Sequence, residues 1–139
     1  MRFSISAAKQ KGVLLLEALL GILIFSMGIL ALVGMQTIAL AQVADAKYRT
    51  DAAFLANQVI GQMWVNRTNL ATYAYGGGGG PPAVIAKWVE EVEDTLPGVT
   101  AANHPTIVVA GTQVTITIFW QPPGSATRRN HVAIAYINA

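Results

Sequence analysis

The sequence predicts an α+β fold in which a long N-terminal helix packs on a small antiparallel β-sheet, giving a roll on a helical stalk. Residues 18–75 contain no proline, and within them residues 18–44 contain no charged side chain. In the C-terminal third, apolar side chains instead recur at every second residue, which is the period of a strand. With 139 residues, the chain has room for one small globular domain behind one anchor.

The charge-free run predicts that residues 13–44 form a transmembrane half of the helix. At 1.5 Å per residue this run extends about 40 Å, more than the ~30 Å hydrocarbon core of a bilayer. The pattern then becomes amphipathic, with one apolar stripe at helical spacing: Tyr48, Ala52, Leu55, Val59 and Met63. We expect this second half to pack on a globular domain formed by residues 45–139.

A glycine run at residues 76–80, followed by Pro81 and Pro82, predicts a flexible connector. A short helix is expected next, because apolar residues again repeat at helical spacing at Ile85, Val89, Val92 and Leu96.

Alternation predicts three antiparallel strands, at residues 106–109, 114–120 and 132–137. We expect the sheet to have one apolar face, covered by the amphipathic half of the long helix. The side chains of the second strand that point toward this helix are expected to be Val114, Ile116, Ile118 and Trp120.

The head of the apolar run carries a distinctive motif. Gly12 follows a lysine and precedes four apolar residues, after which Glu17 is the lone carboxylate. A charge within a membrane span costs about 2.5–3.5 kcal/mol on insertion scales, so such a residue suggests a function. Arg2, Lys9 and Lys11 precede the apolar run and predict a cytoplasmic N-terminus by the positive-inside rule.

Two simpler interpretations of the N-terminus compete with a functional motif. One is a cleaved secretory signal, for which residues 39–41 offer an Ala-Leu-Ala cut site. However, the apolar stretch before that site is about 25 residues long, against 7–15 for a secretory signal. The other is a plain membrane anchor, which gives Glu17 no role.

Glu17, Gly21 and Gly28 project within about 40° of one another on a helical wheel. Small residues on one face let two helices approach closely in lipid. This stripe therefore predicts a surface for subunit assembly, although glycine is also simply common in membrane helices.

Composition argues against several other functions. The formal charge is +2, but the residues after Gly12 carry close to −1, which argues against a general nucleic-acid binder. His104 and His131 are isolated histidines, and no serine lies in a nucleophile-elbow motif. We therefore predict no enzymatic activity, no catalytic residue, no metal site and no cofactor.

Residues 12–20 resemble the N-terminal motif of the type IV pilin superfamily. Residues 26–36, the end of the long helix at residues 56–67 and the tryptophan strand at residues 118–124 are most similar to the minor pilins called type IV pilus modification protein PilV. The resemblance implies a class III leader peptide at residues 1–12, cleaved after Gly12 by prepilin peptidase. It also implies that Val13 becomes the N-methylated new N-terminus and that Glu17 acts in assembly.

The resemblance further implies a minor type IV pilin, a structural subunit that primes pilus assembly and supports twitching motility or adhesion. Its partners would be other minor pilins and the major pilin, with no nucleic acid. It would cross the inner membrane once and then enter the pilus. The alternatives are a minor pseudopilin of a type II secretion system, and an adhesive or DNA-capturing module on a pilin stalk.

Overall fold

The computed structural model describes residues 7–138, with side chains from Gly12 onward. The elements in chain order are α1 (Ala7–Val65), a 3₁₀ helix (Arg67–Tyr73), α2 (Ala86–Thr95), β1 (Thr106–Ala110), β2 (Gln113–Trp120) and β3 (Arg129–Tyr136). The chain divides into two compact units, one ending at Val43 and the other beginning at Ala44. The first six residues of the predicted leader lie outside the described residues.

The first unit is the N-terminal part of α1. This helix runs without a break through the glycines of the apolar run, over 59 residues in all. Its sequence from Gly12 onward is long and apolar enough to cross a membrane. The predicted single continuous helix is therefore confirmed.

The second unit contains an antiparallel sheet with strand order β1-β2-β3. β2 is the central strand, with Gln113 opposite Tyr136 and Trp120 opposite Arg129. On its other side, Thr106 of β1 lies opposite Thr117. The predicted α+β arrangement is confirmed.

One hydrophobic core joins the elements of the second unit. The four predicted inward residues of β2 are buried, as are the four apolar residues that predicted α2. The α1 stripe lies in the same core, with four of its five members buried and Tyr48 packed at the margin. Trp88 of α2 donates a hydrogen bond from Nε1 to the carbonyl oxygen of Leu55 at 2.9 Å, which ties α2 to α1.

β3 differs from the expectation of a sheet with a single apolar face. It packs its alanines, Ala133 and Ala135, against the core. Its larger side chains, Val132, Ile134 and Tyr136, point away from the core and are 49%, 57% and 63% exposed. Small residues fit the inward side because α1, α2 and β2 already fill the core, so the outward side of β3 is also apolar.

A tight turn after α2 requires glycine. Gly98 has a φ of +71°, and a Cβ added there would lie 2.9 Å from the Cβ of Gln121 and 3.0 Å from its carbonyl oxygen. Two hydrogen bonds hold Gly98 close to Gln121. The backbone N–H of Gln121 donates to the carbonyl oxygen of Pro97, and the side-chain amide of Asn103 donates to the carbonyl oxygen of Gly98.

Gly98→Ala should therefore destabilise the second unit by about 2–4 kcal/mol, the sum of left-handed backbone strain and a steric overlap that the fixed backbone cannot relieve. Gly124→Ala is the matched control, since Gly124 has a φ of +76° but open space around its would-be Cβ. It should show only the backbone strain, about 1–2 kcal/mol. Urea unfolding of both variants measures the difference, and equal losses would contradict the predicted overlap.

Candidate assembly and processing site

The predicted site residues lie on α1 in the first unit, where the surface is almost wholly apolar. From Val13 to Val43, the large hydrophobic side chains are between 45% and 73% exposed. Such a surface is unfavourable in water, at roughly 25 cal/mol per Å² of apolar area, and matches a lipid or protein environment. This half of the helix therefore requires cover from outside its own chain.

Glu17, Gly21 and Gly28 lie on one stripe of the helix, as predicted, because the helix is regular through all three positions. At Gly12, Gly21 and Gly28, no atom of the described chain lies within 4 Å of where a Cβ would be. Contacts with the described residues therefore do not require glycine at these positions. A small-residue stripe of this kind suits close approach of another helix.

The two hydroxyl groups within the apolar run are satisfied locally. Ser26 donates its hydroxyl to the carbonyl oxygen of Ile22 at 2.7 Å, and Thr37 donates to that of Val33 at 3.1 Å. Hydroxyls bonded to the preceding helical turn are easily accommodated in lipid.

Glu17 near one end of the run has no hydrogen-bond partner among the described residues, and neither does Gln36 towards the other end, nor Gln42 beyond it. Glu17 also forms no ion pair with the side chains described from residue 12 onward. Glu17 and Gln36 are about 28 Å apart along a helix, close to the thickness of the hydrocarbon core. Gln36 was not predicted as a boundary residue, although this spacing was available in the sequence.

At the start of the second unit, Asp45 ties α1 to the sheet. Its Oδ2 accepts a hydrogen bond from Nε of Arg49 at 3.3 Å, as i, i+4 spacing favours. The same oxygen pairs with the guanidinium of Arg129, the first residue of β3. Sequence reasoning missed Arg129, because no local pattern connects it to Asp45.

A second polar cluster holds the glycine run in place. His104 contacts the hydroxyl of Tyr75 through Nδ1 at 2.7 Å and pairs with Glu93 through Nε2. The Tyr75 hydroxyl also donates to the carbonyl oxygen of Gly79 at 3.1 Å. Burial, with a smaller contribution from Glu93, raises the pKa of Tyr75, so the hydroxyl remains a donor at neutral pH. His104 is therefore a structural link rather than an isolated surface residue.

Comparison with known proteins identified no similar protein. No family model, curated protein or solved structure matches the chain. The architecture itself is pilin-like, since a long apolar N-terminal helix continues into a segment packed on a small antiparallel sheet.

Proposed function

We propose that the protein is a minor type IV pilin, a subunit that assembles through its N-terminal helix into a filament crossing the cell envelope. The observation that carries the proposal is the position of Glu17. This residue is the lone carboxylate of the exposed apolar run, on the same stripe as glycines that no contact with the described residues requires.

A plain membrane anchor would gain nothing from this arrangement. The carboxylate opposes insertion by about 2.5–3.5 kcal/mol, and each glycine weakens the helix by up to about 1 kcal/mol. An assembly helix recovers these costs, because a partner's cation can pair with Glu17 and a partner's helix can pack on the glycines. The arrangement therefore supports assembly better than simple anchoring.

The partners we propose are other minor pilins and the major pilin. The outer face of the sheet supports association of the globular domain, because Val108 of β1 and Ile134 of β3 flank Thr115 on one exposed row. Val132 and Tyr136 extend this apolar area along β3. A cluster of exposed large apolar side chains commonly marks a protein interface.

Localisation follows from the same proposal. The chain is inserted once into the inner membrane with its N-terminus in the cytoplasm, and prepilin peptidase then cleaves after Gly12. The mature subunit, with an N-methylated Val13, moves into the pilus, where it primes assembly and supports twitching motility or adhesion.

Processing is the first test of the proposal. The intact mass of the protein purified from membranes should match a chain that begins at Val13, with or without one methyl group. A mature chain beginning at Gln42 would instead show a secretory signal and contradict the proposal.

Replacing Gly12 with a bulky residue should make the uncut form accumulate, because cleavage requires a small residue there. Gly12→Leu is suitable, since no described atom lies within 4 Å of where its Cβ would be and leucine is a good helix former. Gly34→Leu is the matched control within the same helix, with equally open surroundings. It should be cleaved like the wild type, and equal accumulation of both uncut forms would indicate a general insertion defect.

Deletion of the gene separates the proposed function from its alternatives. A minor pilin should be needed for normal numbers of surface pili. Loss of protein secretion with intact pili would instead support a type II pseudopilin. Intact pili that no longer bind a surface or DNA would support an adhesive or DNA-capturing module.

A further inference from the structure

A pocket of about 430 Å³ lies between the 3₁₀ helix and the edge of β1. This volume is within the range of small-ligand and peptide pockets. The wall contributed by β1 is a strand edge that is only partly paired. Ile107 and Tyr75 exchange two backbone hydrogen bonds, of 2.8 and 2.9 Å, but on the N-terminal side of Ala74 the chain turns into the 3₁₀ helix and leaves this edge.

The next outward-facing peptide on this edge is that of Val109. Backbone groups alternate along a strand, so the N–H and C=O of Val109 face the same side as those of Ile107, away from β2. No group in the described part of the chain pairs with them. Val109 lines the pocket, which therefore presents one free backbone donor and one free acceptor.

The remaining wall is cationic and hydroxylic over an apolar base. Arg67, Thr68 and Thr112 line the pocket, together with Leu70 and Ile137. None of the lining residues is acidic, and Arg67 forms no ion pair within residues 12–138. The chemistry thus favours a ligand that combines an extended backbone, an apolar side chain and a negative charge.

The paired edge determines which end of a peptide fits. A strand added antiparallel to β1 would enter over the turn at Gly111 and stop against Ala74, because Tyr75 already occupies the next position. Its C-terminus would lie inside the pocket. A parallel strand would place an amino terminus there instead, which Arg67 would repel.

We propose that this pocket binds the free C-terminal carboxylate of an extended peptide. The Val109 backbone pairs with the last residues of the peptide, Arg67 and Thr68 bind the carboxylate, and Leu70 contacts an apolar side chain. Capture of a chain terminus by strand addition and a cation is a known recognition mode. This binding activity does not depend on the proposed pilin function.

The test uses the full-length protein, labelled and kept in detergent micelles. It is applied to an array of random hexapeptides attached through their N-termini, each with either a free carboxylate or an amide at its C-terminus. Peptides with a free carboxylate should retain at least about tenfold more protein, the scale of one lost charge-assisted hydrogen bond. Equal retention on both forms, or no retention on either, would overturn the proposal. The proposal would also be overturned if amidated peptides that end in aspartate or glutamate retained as much protein as peptides with a free C-terminal carboxylate.

Three variants locate the binding site. Arg67→Gln should remove the preference for the free carboxylate, whereas Arg128→Gln should leave it intact, since Arg128 is also exposed but lies outside the pocket. Val109→Pro removes an N–H that faces away from β2 and replaces a half-buried side chain at the margin of the core, so the sheet should persist while retention falls. If Val109→Pro does not fold, Arg67→Gln decides alone. Unchanged retention with Arg67→Gln would refute the assignment.

Discussion

Glu17→Leu should abolish support of pilus assembly while improving membrane insertion. Insertion gains about 2.5–3.5 kcal/mol, because a charge leaves the span. Cleavage should persist because Gly12 is intact. Co-purification with partner pilins should be lost, because in our proposal Glu17 pairs with a cation of a neighbouring subunit, such as the α-amino group that processing creates at that subunit's Val13. Leaving one member of a shielded ion pair alone costs about 3–5 kcal/mol.

The measurement is complementation of a deletion strain, scored by surface pili and by pull-down of the other pilins. Gln36→Leu is the matched control, because it removes another polar side chain of the apolar run that has no partner among the described residues, without touching residues 12–20. It should restore piliation. If Glu17→Leu restores normal piliation as well, the carboxylate is not needed and the central argument for a pilin is wrong.

The long helix and the core were predictable because both depend on local periodicity. The α1 stripe from Tyr48 to Met63 and the alternation from Val114 to Trp120 each record which side faces the core. Once a helix and a strand are given these faces, packing them together is the way to bury both. The stripe containing Glu17 was predictable for the same reason, since helical geometry alone brings its members together.

Contacts between residues distant in sequence were not predictable. Asp45 lies in the predicted long helix, and Arg129 lies shortly before the third predicted strand. The local pattern of neither segment indicates the other, and only the fold brings the two side chains together. His104 likewise gives no local sign that Tyr75 and Glu93 surround it. The outward apolar side chains of β3 were missed for a different reason. Alanines alternate with larger apolar residues in this strand, and this pattern alone does not indicate which of the two sets faces the core.

Trp120→Ala should produce the largest loss of stability in the globular domain. Trp120 is 1% exposed at the end of β2 and is among the largest buried side chains of the core. Truncating a buried tryptophan costs about 3–5 kcal/mol, because contacts are lost and a cavity remains. For a domain of this size, each kcal/mol lowers Tm by about 4–8 °C, so thermal unfolding followed by circular dichroism should show a fall of more than about 12 °C.

The other two tryptophans make the measurement specific. Trp64→Ala removes a residue that is 45% exposed, so it should change Tm only slightly.

Replacement by phenylalanine separates packing from hydrogen bonding. Trp88 donates to Leu55, whereas Nε1 of Trp120 has no partner in the described part of the chain. Trp88→Phe should therefore cost more than Trp120→Phe, because the former loses a hydrogen bond of the folded state, whereas the latter removes a buried N–H that has no partner. A Tm unchanged by Trp120→Ala would show that β2 faces the other way, and the core that joins α1 to the sheet would have to be rebuilt.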